Sequence, residues 1–164
     1  MKRLSICLII LLFTINSYTQ ENENRKLTEI KVNGLELLAG YIDVHAEKIS
    51  NDRFSYGASL ILNLVNGNDN YVGFAVYPYL RQHFGEGKAK GFFIEAGMPF
   101  AAYGRSRDED GFKFGIGLSF GTKVLTKKNL VIDFNIGAGA WIDGTHSDIP
   151  PVFPRVGVTI GKRF

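Results

Sequence analysis

The stretch Pro154-Arg155-Val156-Gly157-Val158-Thr159-Ile160-Gly161-Lys162-Arg163-Phe164 decides how the fold is read. Large apolar residues fall on every second position, at Val156, Val158 and Ile160, with Phe164 in the same phase. Arg155, Gly157, Thr159, Gly161 and Arg163 fall between them. A period of two is a β-strand with two unlike faces.

The alternation recurs upstream. Ile42, Val44 and Ala46 oppose Asp43, His45 and Glu47. Phe54, Tyr56, Ala58, Leu60 and Leu62 oppose Ser55, Gly57, Ser59, Ile61 and Asn63. Val72, Phe74, Val76, Leu80 and Phe84 oppose Gly73, Ala75, Tyr77, Tyr79, Arg81 and His83. Phe92, Ile94, Ala96, Met98 and Phe100 oppose Phe93, Glu95 and Gly97. Phe112 to Phe120 alternates with Lys113, Gly115, Gly117, Ser119 and Gly121. Leu130 to Ala140 alternates with Asp133, Asn135, Gly137 and Gly139. An eighth strand is assigned to Thr28 to Leu38, although Gly34 and Leu35-Glu36-Leu37-Leu38 break its phase and suit a short helix or a bulge equally.

Energetics orient the faces. Mid-strand positions of the oily face carry no charge; its two lysines, Lys48 and Lys162, are at strand ends. A lysine or arginine facing lipid at the bilayer midplane costs about 2–4 kcal/mol, falling to about 0–1 near the interface. A water-soluble barrel would instead expose the glycine-rich face. The expected fold is therefore all-β: an eight-stranded antiparallel up-and-down transmembrane β-barrel over residues 28–164.

Threading the strands with both termini in the periplasm gives periplasmic turns at Ser50 to Arg53, Gly85 to Ala89 and Thr122 to Asn129. Outer loops fall at Val65 to Asn70, Gly104 to Asp110 and Ile142 to Phe153, with a tight Ala39-Gly40 connection. This threading sets Phe54, Phe84, Phe92, Phe120 and Phe164 in a periplasmic aromatic girdle. Pro78 and Pro99 interrupt clean strands, so bulges or bends are expected at both.

Eight strands enclose a space that side chains just fill. Asp43, Glu47, Tyr77, Tyr79, Arg81, Glu95, Lys113, Asp133 and Arg155 are expected to form a polar network in the lumen, with His45, His83, Asn135 and Arg163 on the same face. Unpaired buried charge is very costly, so these groups should pair into a plug. Long arginine and tyrosine side chains should fill the volume left by Gly115, Gly117, Gly137 and Gly139.

Lys2 and Arg3, the apolar run Ile6 to Ile15 and the small residues Ser17-Tyr18-Thr19-Gln20 read as a secretory signal peptide over residues 1–20. The run is too short to span a bilayer as a helix. Residues 21–27 are a polar lead. Cleavage would remove the one cysteine, Cys7, so no disulfide is expected. The formal charge is +3, of which Lys2 and Arg3 supply two, and no polybasic patch suggests nucleic acid.

The motifs Tyr77-Pro78-Tyr79-Leu80-Arg81, Gly91-Phe92-Phe93-Ile94-Glu95 and Pro154-Arg155-Val156-Gly157 near Phe164 resemble a family of small outer-membrane proteins known only as a domain of unknown function. The terminal aromatic resembles the C-terminal signature of Gram-negative outer-membrane barrels, and the chain is broadly similar to OmpA/OmpX-type barrels. The resemblance implies an eight-stranded barrel and no established activity. It also implies recognition of the C-terminal strand by the barrel assembly machinery.

Catalytic readings are weak. Thr145-His146-Ser147-Asp148 sets three catalytic residue types side by side, which suits a turn-rich loop better than a relay. No histidine pair has ligand spacing and no cofactor is expected. Gly115 to Gly121 lies inside a strand without a following helix, so it is no phosphate loop. The expectation is an outer-membrane barrel with a filled lumen, a structural or surface-interaction role and no catalysis. Outer-membrane lipid is the partner, and Arg105 and Arg107 are candidate contacts to lipopolysaccharide phosphates. A narrow pore, a lipid-modifying enzyme and a secreted lipocalin-like binder are the alternatives.

Overall fold

A computed structural model describes residues 27–64, 71–104, 111–142 and 151–164. Residues 1–20, read above as a signal peptide, together with Arg105, Arg107, His146 and most of the three loops expected on the outer side, lie outside the described residues. Nine strands follow in order: β1 (Thr28–Asn33), β2 (Tyr41–Ile49), β3 (Phe54–Asn63), β4 (Tyr71–His83), β5 (Gly91–Gly97), β6 (Phe100–Gly104), β7 (Gly111–Leu125), β8 (Leu130–Trp141) and β9 (Val152–Arg163). Each pairs antiparallel with its neighbours, β5 and β6 share one place between β4 and β7, and β1 pairs with β9. The result is a closed up-and-down barrel of eight strand positions, with no free edge.

Closure follows from register. Ile132 pairs with Ile160, Ile160 with Val32, Val32 with Val44, Val44 with Leu60, Leu60 with Val76, Val76 with Phe100 and Phe100 with Phe114. Phe114 O then accepts the amide of Ile142 at 2.9 Å, ten residues beyond the start of the circuit. That stagger goes with a strand tilt of about 40°. Every residue on the circuit is apolar and none is buried.

Three expectations need correction. The first strand ends at Asn33, and residues Gly34–Leu38 form a short helix, α1. Asn33 caps it, its side chain accepting from the Leu35 amide at 3.2 Å. Second, β7 runs on to Leu125, so the turn before β8 is shorter than expected, and β9 begins at Val152, so Phe153 is a strand residue.

Third, of the bulges or bends expected at the prolines, no bulge forms; Pro99 instead falls in the Met98–Pro99 break between β5 and β6. Tyr79 pairs with Gly97 and Val76 with Phe100, so the same number of residues intervenes on each side and Pro78 lies opposite Met98. Met98 N donates to Pro78 O at 3.0 Å, and Gly115 N to Pro99 O at 3.0 Å. Each proline still accepts, and only its missing N–H is lost. Both losses fall in one gap, where β5 gives way to β6. The one register shift on β4 lies between Val72 and Phe74.

Below, the near end is the one holding Thr28, Ile49, Phe54, His83 and Arg163; α1 lies at the far end.

Candidate functional site

Alternation sends the polar set inward. Asp43, Glu47, Tyr77, Tyr79, Arg81, Glu95, Lys113, Asp133 and Arg155 are all buried, as are His45, His83, Asn135 and Arg163. The opposite face is open: Leu80 is 65% and Leu118 64% exposed, whereas Glu95 and Asp133 are 0%. The barrel is polar inside and apolar outside.

The near half of the lumen is an ionic cluster. Lys31 Nζ bonds Asp133 at 2.7 Å, Glu29 at 3.1 Å and Glu47. Arg81 bonds Glu95 at 2.7 Å, Glu47 at 2.8 Å and Asp133 at 2.7 Å. Lys123 bonds Glu29 at 2.8 Å and Glu47 at 2.5 Å. Arg155 bonds Glu95 at 3.1 Å, and Arg163 bonds Glu29 at 2.5 Å. The Arg81 guanidinium also lies 4.4 Å from the Phe93 ring centre and 4.6 Å from that of Tyr79. Charges this deep are tolerable because each meets opposite charge, most of them more than once.

Three charged members of this cluster escaped the sequence reading. Glu29 and Lys31 sit on β1, whose alternation is too short to stand out. Lys123 sits on the part of β7 read as a turn. The signal for β1 was available: Glu29, Lys31 and Asn33 alternate with Ile30 and Val32.

The near mouth is covered. The β4–β5 turn, residues 85–90, tucks Ala89 completely inside, with Ala89 N donating to Asp52 O at 2.9 Å. Arg163, on a strand nearly opposite, reaches across to Lys88 O at 2.7 Å and Ala89 O at 3.0 Å. Ala89 holds φ 44°, in the left-handed region.

The far half combines rings set against glycine with a smaller polar group, in which Asp43 meets His45 at 2.9 Å and Arg155 at 3.9 Å. A Cβ at Gly97 would stand 2.4 Å from the Tyr77 ring, and one at Gly139 would stand 2.1 Å from the Phe153 ring. The Trp141 and Phe153 rings lie 4.6 Å apart, and Arg155 covers the Tyr77 ring at 4.3 Å. Aromatic rings fill the spaces at Gly115, Gly117 and Gly139; Gly137 instead faces Ser119 and the Leu118 carbonyl. At this mouth, partial burial raises the Glu36 carboxyl on α1 above its ordinary range; Asp43 adds to the shift and Arg155 opposes it.

One pair has catalytic residue types. Ser55 Oγ lies 2.8 Å from His83 Nε2, but Glu47 approaches that same nitrogen, at 3.8 Å, rather than Nδ1. A relay needs the carboxylate on the other nitrogen, and both Ser55 and His83 are buried. Among the described residues no group of three or more His, Cys, Asp or Glu side chains is placed to hold a metal ion.

On the outer wall, Phe54, Phe84 and Phe92 gather at the near end, the last two with ring centres 5.8 Å apart, and Phe164 follows β9 there. Phe120 stands deeper, beside Ile94. A second aromatic set, Phe74, Phe100, Phe112 and Phe114, faces outward toward the far end.

Residues 5–148 match the model of a family described as "Protein of unknown function (DUF3575)". The match covers most of the sequence, and the chain belongs to that family. No curated protein and no solved structure matches it.

Proposed function

We propose that this DUF3575 protein is an integral outer-membrane β-barrel with a side-chain-filled lumen, acting structurally or through its surface loops and without catalysis. The observation that carries the reading is the circuit from Ile132 to Ile142, nine outward residues with no polar one among them. Water offers such a belt nothing, whereas hydrocarbon is its matching solvent.

Dimensions support it. Phe74 on β4 and Phe84, just past its end, are ten residues apart on the outer side. That is about 33 Å of strand at about 3.3 Å per residue, or about 25 Å of height at the barrel's tilt. Apolar bands of membrane barrels are about 25 Å tall. A lipocalin-like binder would need an apolar cavity, and this lumen is ionic. A pore would need a clear axis, and Lys31, Arg81, Lys123 and their partners occupy it.

In this reading the near end faces the periplasm, the signal peptide exports the chain and the C-terminal strand engages the assembly machinery. Arg105 and Arg107 contact lipopolysaccharide phosphates; alanine at both should weaken lipopolysaccharide retention on extraction, and unchanged retention would count against that contact.

Fractionation of cells expressing the full chain tests the reading. The protein should stay in alkali-washed membranes and migrate faster unboiled than boiled. A soluble protein whose mobility ignores boiling would refute it.

A further inference from the structure

Among the described residues, the cations that the lumen does not take stand at one end. Of the lysines and arginines among the described residues, Lys31, Arg81, Lys113, Lys123, Arg155 and Arg163 are buried inside. The other seven are at or near the near rim. Lys48 and Lys162 lie on the outer wall, Arg53 in the β2–β3 turn, Lys88 and Lys90 in the β4–β5 turn, and Lys127 and Lys128 in the β7–β8 turn. All are exposed except Lys48, which is half-buried. Among the described residues only two exposed acids, Asp52 and Glu86, share that rim.

The placement says what kind of partner fits. A protein docking from the periplasm would call for a charged patch on one side of the mouth. These cations are spread around the circumference. Two of them rise from the apolar wall itself: Lys162 pairs across the ladder with Ile30 and Leu130, and its Nζ lies 5.5 Å from the Phe164 ring centre. Lys48 pairs with Thr28 and Tyr56. Long lysine stems on an apolar wall carry their charge to the level of headgroups.

We infer that this rim is a ring-shaped binding surface for the anionic phosphates of phospholipid headgroups in the leaflet bordering the near end. The inference rests on the membrane reading above and deepens it, since it fixes which lipid charge surrounds that end. The attraction is electrostatic and falls off within a Debye length, about 10 Å at 0.1 M salt and about 3 Å at 1 M.

The test reconstitutes the full chain into phosphatidylcholine vesicles with or without phosphatidylglycerol and measures immobilisation of spin-labelled lipids of both kinds. Phosphatidylglycerol should be preferred several-fold at low salt, and molar salt should abolish most of the preference. A variant carrying Lys88→Gln, Lys90→Gln, Lys127→Gln and Lys128→Gln, all in turns and outside the lumen, should lose much of the preference while keeping its gel shift on boiling. Equal immobilisation of both lipids in an inserted protein overturns this inference and leaves the membrane reading standing, as does a preference that survives both salt and the variant. A soluble acidic polymer that binds protein in pure phosphatidylcholine equally well, with the same dependence on these lysines, makes the partner aqueous and overturns it too. Failure to insert into any vesicle overturns both readings.

Discussion

The two halves of the lumen are filled by opposite means. Toward the near end, the wall presents acids and bases whose charges interlock: Glu47 alone meets Lys31, Arg81 and Lys123. Toward the far end, the wall presents glycines, and Tyr77, Trp141 and Phe153 take most of the space beside a smaller polar group of Asp43, His45 and Arg155. One wall with one strand count thus holds an ionic plug at one depth and a fitted aromatic layer at another. The ionic half depends on completeness, since one missing partner strands the rest. The aromatic half depends on shape, since one added methyl has nowhere to go.

Glu47→Ala should break the ionic half most severely. It leaves three buried cations short of an acid, and removing one partner of a buried pair costs about 3–5 kcal/mol. A urea titration followed by Trp141 fluorescence should show that loss; a change under 1 kcal/mol would mean the cations find water or other acids.

Gly97→Ala probes the other half. Its new methyl would meet the Tyr77 ring, and overpacking costs about 1–3 kcal/mol. In a Tyr77→Ser background, where that ring is gone, the same alanine should cost little, and additive effects in the double variant would show that the two sites do not share the space.

Glu36→Gln sharpens the comparison at the far mouth with the smallest effect, within about 0.5 kcal/mol. A carboxyl whose folded pKa is raised binds its proton more tightly folded than unfolded, so its contribution to stability declines as pH rises from its unfolded value of 4.5 through the folded one. The glutamine variant should lack that decline, which parallel titrations at acid and neutral pH would reveal.

How far this division could be read from sequence depends on strand length. Along β7, β8 and β9 the alternation runs for twelve residues or more, so most of the inward set there, from Lys113 to Arg155, separates cleanly from the outward one, the ends of β7 and β9 at Lys123 and Phe153 excepted. On β1 it runs for six, and Glu29 and Lys31 went unnoticed. Pairing was not legible at all. Lys31 reaches Asp133 across 102 positions and Arg163 reaches Glu29 across 134, separations that only barrel closure brings together. The cover over the near mouth was hidden for the same reason, because Arg163 meets Lys88 only across the closed cylinder. Phe153 was lost to a loop because Pro151 and Pro154 flank it and obscure the start of β9.

All of this presumes that the apolar outer face is bathed in hydrocarbon. A single cysteine at Leu118, in the middle of that face, carrying an environment-sensitive fluorophore in the reconstituted chain, asks directly. The account predicts blue-shifted emission, strong quenching by lipids brominated on the acyl chain and little quenching by aqueous iodide. Red-shifted emission open to iodide and indifferent to the brominated lipid would contradict it.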